Sequence, residues 1–121
     1  MNKLILLADD KADLRRNIAE ALEFEGFDVL QASDGQEAMS MMQSLKPSLI
    51  VTDLLMPIMD GFDFIREIRS DESLACVPIL VFSAMPEEEN RKKALDLGAN
   101  EFINKPSTLE EFLNVAIKLA T

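Results

Sequence analysis

Five polar residues that could do chemistry together stand at or just after the ends of short apolar runs. They are Asp9, Asp10, Asp53, Ser83 and Lys105. Three carboxylates can hold a hard divalent cation, and a hydroxyl with an ammonium can contact the oxygens of a phosphoryl group. The types of these residues therefore suggest phosphoryl transfer to a carboxylate.

Clustered carboxylates need a cation, because two unit charges about 4 Å apart repel by about 4 kcal/mol at an effective dielectric of 20. Mg²⁺ fits best, since it uses one or two carboxylates, several waters and a phosphate oxygen, whereas Ca²⁺ needs more protein ligands. Asp53 follows the apolar run expected to form the central strand and is the expected nucleophile, while Asp9 and Asp10 suit metal binding from the side. Each residue taken alone could also be a cap or surface group, and Asp53 could simply cap the turn before Pro57.

The elements that must position these residues are strands and helices in strict alternation. The predicted strands are residues 3–8, 28–32, 49–51, 79–83 and 101–103. The first helix runs from Asp13 towards a glycine cap at Gly26, the third covers 65–69, and the fourth runs from Pro86 to Gly98. Five such units predict an α/β fold with a parallel sheet, helices on both faces and right-handed crossovers, so the strand ends converge.

The second and fifth helices are predicted to begin at capping boxes, Asp34 with Glu37 and Ser107 with Glu110. Apolar stripes follow each box at helical spacing. The stripes are Ala38, Met41, Met42 and Leu45 in the second helix, and Leu109, Phe112, Leu113, Ala116, Ile117 and Ala120 in the fifth. Both stripes predict helices that pack on the sheet.

Composition limits the class of protein. A chain of 121 residues, 48% hydrophobic, is expected to form one domain over residues 1–121. Its single cysteine, Cys76, is expected to be a small buried residue, and the lack of a signal peptide predicts a cytoplasmic protein. The net charge of -10 disfavours direct binding to nucleic acid or anionic membranes, and we expect the basic cluster 91–93 to be a solvated helix face.

These positions resemble the receiver domain of two-component response regulators over the whole chain. The resemblance rests on Asp9-Asp10, Asp53 with Met56-Pro57 and Asp60-Gly61, Ser83-Ala84, and Lys105-Pro106. It implies a flavodoxin-like (βα)5 fold with the strand order 2-1-3-4-5.

The resemblance also implies a role for each residue of the cluster. Asp53 would accept a phosphoryl group from a sensor histidine kinase or a histidine phosphotransfer protein. Asp10 would bind Mg²⁺ directly, Asp9 would help through water, and the backbone carbonyl of Leu55 would complete the protein ligands. Lys105 would contact the phosphoryl oxygens.

By the same resemblance, Ser83 and Phe102 would be switch residues that report phosphorylation. The face formed by the fourth helix, fifth strand and fifth helix would then bind a downstream protein partner. We expect a phosphorylation-controlled switch, one that catalyses only its own phosphorylation and dephosphorylation. Leu55 and Met85, which would flank the phosphoryl group, are apolar and predict slow loss of phosphate.

Two other classes of protein share parts of this pattern. A small Mg²⁺-dependent aspartyl-phosphate phosphatase would need a general acid two residues after the nucleophile, where this chain has Leu55. A flavodoxin-like cofactor binder would need a phosphate loop rich in Ser, Thr or Gly after the first strand, and none follows Ala8. The phosphatase remains the alternative hypothesis.

Overall fold

The computed structural model describes residues 2–105 and 107–121, so the predicted role of Pro106 lies outside the described residues. Five parallel strands form one sheet in the order β2-β1-β3-β4-β5. The strands are β1 (Leu4–Ala8), β2 (Asp28–Ala32), β3 (Leu49–Thr52), β4 (Ile79–Ser83) and β5 (Glu101–Asn104). The predicted fold class and strand order are confirmed.

Five helices alternate with the strands and cover both faces of the sheet. They are α1 (Ala12–Phe24), α2 (Gly35–Met41), α3 (Gly61–Ser70), α4 (Glu87–Leu97) and α5 (Leu109–Ala120). Because successive strand residues point to opposite faces, β1 contributes Leu6 to one core and Ile5 to the other. The first core includes Phe64 of α3, and the second includes Phe112 of α5.

The strand register places the polar strand ends at one edge. Ala8 of β1 pairs with Thr52 of β3, so the residues that follow, Asp9 and Asp53, leave the sheet side by side. At the other half of the sheet, Ser83 of β4 pairs with Asn104 of β5. The carboxyl edge of the sheet therefore gathers the side chains that the sequence analysis selected.

The starts of α3 and α5 differ from the predicted ones in ways that their capping residues explain. The helix α3 starts at Gly61, four residues before 65, because the carboxylate of Asp60 accepts a hydrogen bond from the Asp63 N–H. The cap of α5 is Thr108, whose hydroxyl accepts from the Glu111 N–H at 3.1 Å. The predicted box of Ser107 with Glu110 was one residue out of register.

Two predictions about the α2 and α3 connections were wrong in part. Leu45 lies beyond the end of α2 at Met41 and is 47% exposed, so it does not extend the apolar stripe. Cys76, expected to be buried, is exposed because it lies in the connection between α3 and β4. Among residues 2–105 and 107–121, no helix is long and apolar enough to cross a membrane.

The basic cluster of α4 is more than a solvated face. Lys92 and Lys93 are exposed as expected, and Lys92 lies beside Asp96. Arg91 donates a hydrogen bond to the backbone oxygen of Phe102 at 3.1 Å. The ammonium of Lys93 lies 4.2 Å from the ring centroid of Phe62, a cation–π distance. Two of the three cations therefore attach α4 to its neighbours.

Candidate functional site

The three acidic residues form a single cluster at the carboxyl edge of the sheet. One carboxylate oxygen from each of Asp9, Asp10 and Asp53 lies within 4.8 Å of the others. Asp9 and Asp53 are each 3% exposed, because they follow the buried strands β1 and β3 directly. Asp10, one residue further out, is exposed to solvent. The cluster is thus buried on one side and open on the other.

The backbone after β3 forms a tight turn whose N–H groups donate hydrogen bonds to the Asp53 carboxylate. Its Oδ1 accepts hydrogen bonds from the N–H of Leu54 at 2.6 Å and of Leu55 at 3.4 Å. This tight turn requires glycine at position 61, since a Cβ there would lie 2.3 Å from the Asp53 backbone oxygen. Thr52, which the sequence analysis did not select, donates its buried hydroxyl to that same oxygen at 2.8 Å.

Lys105 closes the cluster from β5. Its Nζ lies 3.0 Å from Oδ2 of Asp9 and 3.1 Å from Oδ2 of Asp53, and its side chain is 11% exposed. The ammonium therefore offsets part of the negative charge of two nearly buried carboxylates. It also lies 5.1 Å from the ring centroid of Phe82.

Ser83 is fully buried at the end of β4, and its Oγ accepts a hydrogen bond from the N–H of Met85 at 3.2 Å. The amide of Asn104 donates to the backbone oxygens of Ser83 at 3.0 Å and Met85 at 2.8 Å. Asn104 thereby joins the end of β4 to β5. Asn104 was not among the predicted site residues, although its place immediately before Lys105 could have indicated it.

Phe102 lies outside the charged cluster. It is 3% exposed, packs in the core between the sheet and the α3 face, and pairs in register with Val81. Its inward position agrees with the burial expected for Phe at this site. The hydrogen bond from Arg91 to its backbone oxygen connects it to α4.

Arg15 is another polar residue near the cluster that was not among the predicted site residues. Its guanidinium donates to the backbone oxygen of Asp9 at 2.6 Å and to the side-chain oxygen of Gln31 at 3.1 Å. The N–H of Lys11 donates to Oδ1 of Asp9 at 2.9 Å. These bonds fix the turn that presents Asp9 and Asp10. Arg15 lies on α1, where the apolar spacing predicts the helix but gives no signal for a polar contact with Asp9.

The donor set fits Mg²⁺ better than softer or larger ions. The ligand atoms are all carboxylate oxygens, and the exposure of Asp10 leaves room for the waters that Mg²⁺ retains. One oxygen of Asp9 is already engaged by Lys11 and the other by Lys105. Both oxygens of Asp53 are engaged in the same way, by the Leu54 N–H and by Lys105. Asp10, the exposed member of the cluster, is therefore the best placed direct ligand, and an ion would share the carboxylates of Asp9 and Asp53 with their present donors.

The fold and this edge define a doubly wound α/β domain with an acidic cleft closed by one lysine. Comparison with known proteins narrows the class. A family model described as the response regulator receiver domain matches residues 5–117, and the chain belongs to this family, that of the receiver domains of two-component systems.

Curated relatives agree with this family. The chain is 35% identical over 113 residues to the phosphate regulon transcriptional regulatory protein PhoB of Pseudomonas aeruginosa, covering 93% of this chain and 49% of that protein. It is 36% identical over 118 residues to the alkaline phosphatase synthesis transcriptional regulatory protein PhoP of Bacillus subtilis, covering 98% and 48%. The chain thus spans about half the length of these relatives.

Solved structures of similar proteins cover nearly the whole chain. The chemotaxis response regulator CheY4 of Vibrio cholerae superimposes with a TM-score of 0.91 at 27% identity, over 98% of this chain and 99% of that one. A response regulator receiver protein from Pseudomonas putida gives a TM-score of 0.90 at 32% identity, over 98% of each chain. The similarity therefore extends to the complete domain.

Proposed function

We propose that Asp53 is the phosphoacceptor of this receiver domain, and that residues 1–121 act as one signalling domain. The proposal rests above all on the geometry of Asp53, a nearly buried carboxylate that touches Lys105 and faces Asp9 and Asp10. The donor would be the phosphohistidine of a sensor histidine kinase or a histidine phosphotransfer protein. A surface of charge -10 makes a protein partner more plausible than nucleic acid.

In the transfer step, an oxygen of Asp53 attacks the phosphorus of the phosphohistidine. The new P–O bond forms as the P–N bond breaks, and the bonding electron pair returns to the imidazole nitrogen of the donor. The ammonium of Lys105, 3.1 Å from the carboxylate in this structure, moves its hydrogen bond to an oxygen of the transferred group. Lys105 thus stabilises the negative charge on the phosphoryl oxygens during transfer.

Asp10 and Asp53, with the backbone carbonyl of Leu55 and with Asp9 through water, would hold Mg²⁺. When bound, this ion would neutralise negative charge on the phosphoryl oxygens. The receiver domain of the sensor histidine kinase PA1611 of Pseudomonas aeruginosa, 27% identical, is described with a magnesium ion coordinated in its active-site cleft. That domain superimposes on this chain with a TM-score of 0.90 over 99% of this chain, which supports a magnesium site at the same edge here.

The phosphorylated state would be read by Ser83 and Phe102. A phosphoryl group adds about 1.5 to 2 negative charges and several acceptors beside Asp53. The Ser83 hydroxyl, now accepting from Met85, could instead donate to one of them, which would release the loop before α4. Phe102 and its Arg91 bond would transmit the change to a face of α4, β5 and α5, shifting the affinity for a downstream partner.

Labelling by acetyl phosphate tests the assignment. With Mg²⁺, intact mass should show one added phosphoryl group per chain, and Asp53→Asn should abolish it. Asp63→Asn, an exposed aspartate of α3 outside the cluster, is the matched control and should label normally. Labelling that survives Asp53→Asn, or that needs no divalent cation, would overturn the proposal.

A further inference from the structure

We propose that Phe82 is a positioning residue for Lys105, its ring holding the ammonium in place for phosphoryl transfer. The inference rests on the proposed function of Asp53. Its direct basis is that Lys105 Nζ lies over the Phe82 ring, 5.1 Å from the centroid, while it also contacts Asp9 and Asp53.

The strand register explains why these two side chains meet. Phe82 of β4 pairs with Ile103 of β5, and Lys105 follows two residues later. Because alternate strand residues share a face, Lys105 leaves β5 on the Phe82 side of the sheet. Ser83 and Phe102, by the same alternation, belong to the opposite side. The ring is therefore placed to act on the lysine and not on the switch residues.

The ring is itself held firmly. Its centroid lies 4.8 Å from that of Phe112, with the planes inclined by 33°. Phe112 is fully buried on α5, in the core formed with α1. The half-buried ring of Phe82 packs against the buried ring of Phe112 and so forms a fixed apolar surface at one side of the cleft.

An aromatic ring can position an ammonium without competing for its hydrogen bonds. Lysine has a flexible four-carbon chain, and the carboxylates of Asp9 and Asp53 draw its ammonium towards the site. An aromatic face attracts the cation without accepting a full hydrogen bond, so it does not compete for the donors needed by phosphoryl oxygens. Phe82 can thus limit the mobility of the ammonium before and after transfer.

Replacing the ring tests the proposal. With acetyl phosphate and Mg²⁺, Phe82→Leu should lower the rate constant for labelling Asp53 by about threefold to tenfold. Phe82→Tyr keeps an aromatic face and should stay within about twofold of the wild type. Phe27→Leu removes a partly buried ring from the same core, away from Lys105, and should label at the wild-type rate.

A double-mutant cycle separates positioning from general packing. In a Lys105→Gln background, Phe82→Leu should cause no further slowing, because the group it positions is gone. An equal slowing in both backgrounds, a Phe82→Tyr variant as slow as Phe82→Leu, or an unchanged rate in Phe82→Leu would each overturn the inference. Failure of the wild type to label, or labelling of Asp53→Asn, would instead overturn the proposed function.

Discussion

The Nζ of Lys105 lies 3.1 Å from Oδ2 of Asp53, although 52 residues separate them along the chain. The two residues follow strands that are not neighbours in sequence but converge at one edge of the sheet. Both side chains are almost buried, at 11% and 3% exposure. Their contact therefore places an ammonium against a nearly buried carboxylate, whose charge would otherwise lack this counterion.

The contribution of this contact to stability should depend on Mg²⁺. Removing one partner of a buried ion pair costs about 3 to 5 kcal/mol, because the remaining charge is left without a counterion. Lys105→Met should lower the free energy of unfolding by about 3 kcal/mol in EDTA and by less in millimolar Mg²⁺. Urea unfolding measures both values, with Lys118→Met on the exposed side of α5 as control. An equal loss under the two conditions would contradict this.

Mg²⁺ itself should stabilise the folded chain through Asp10. Binding only to the folded state adds about 2.7 kcal/mol at 100 times the dissociation constant, or roughly 10 °C in melting temperature for a domain of this size. Asp10→Ala should abolish the Mg²⁺-dependent rise. In EDTA the same variant should melt no lower than the wild type, because it removes a charge that repels Asp9 and Asp53. A thermal scan in which Mg²⁺ leaves the melting temperature of the wild type unchanged would argue against the metal site.

Arg69 should be the polar residue whose loss destabilises the fold most outside the site. Its guanidinium donates to the backbone oxygens of Gly98 at 2.8 Å, Val77 at 2.8 Å and Ala75 at 3.1 Å. Burial lowers the pKa of Arg69 below its ordinary value, yet the guanidinium stays charged at neutral pH. Hydrogen bonds from a charged donor contribute about 1.5 to 3 kcal/mol, so Arg69→Ala should cost about 3 kcal/mol.

Chemical denaturation checks the effect of Arg69, and Arg66 supplies a matched control. Arg66 lies on the same helix but is exposed and pairs with the exposed Asp63. Arg66→Ala should change the free energy of unfolding by no more than about 0.5 kcal/mol. Similar losses in the two variants would mean that the carbonyls around Arg69 find other partners.

Ile58 is held in a strained backbone conformation. Its φ is 69°, in the left-handed region that disfavours branched side chains, and its side chain is 77% exposed. Ile58→Asn should stabilise the chain by about 1 kcal/mol, since asparagine tolerates this region. Ile58→Gly should gain less, because glycine also raises the entropy of the unfolded chain. A loss of stability in Ile58→Asn, measured by thermal unfolding, would indicate that the apolar side chain has a compensating contact.

Site residues that follow strands can be predicted from the sequence, whereas residues whose contacts are long-range cannot. Asp9, Asp53 and Lys105 were predictable because each follows an apolar strand, and parallel strand ends must share an edge. The cap at Thr108 was misplaced because Ser107 offers an equally good box one residue earlier. Arg69 and Phe82 were missed because their partners come from other elements, and a long-range contact leaves no local periodicity. The predicted burial of Cys76 was wrong because residue type alone does not determine whether a loop residue is buried or exposed.

The lifetime of the phosphoryl group should be controlled by Leu55 and Met85. Leu55 follows Asp53 by two residues with its side chain 58% exposed, and Met85 is half-buried beside the Ser83 hydroxyl. Neither side chain can orient a water for in-line attack on phosphorus, and both can crowd its approach. We therefore expect the phosphorylated protein to persist unless a phosphatase acts on it.

Polar substitutions at these two positions should shorten that lifetime without disturbing the metal. Leu55→Asn and Met85→Glu should each speed the loss of phosphate severalfold, and the double variant should be fastest, because both side chains would then hydrogen-bond the attacking water. Leu55→Met keeps the position apolar and should decay like the wild type. The decay of labelled, donor-free protein in Mg²⁺, followed by intact mass, gives the rate constants. Unchanged or slower decay in the polar variants would show that water reaches the phosphorus by another path.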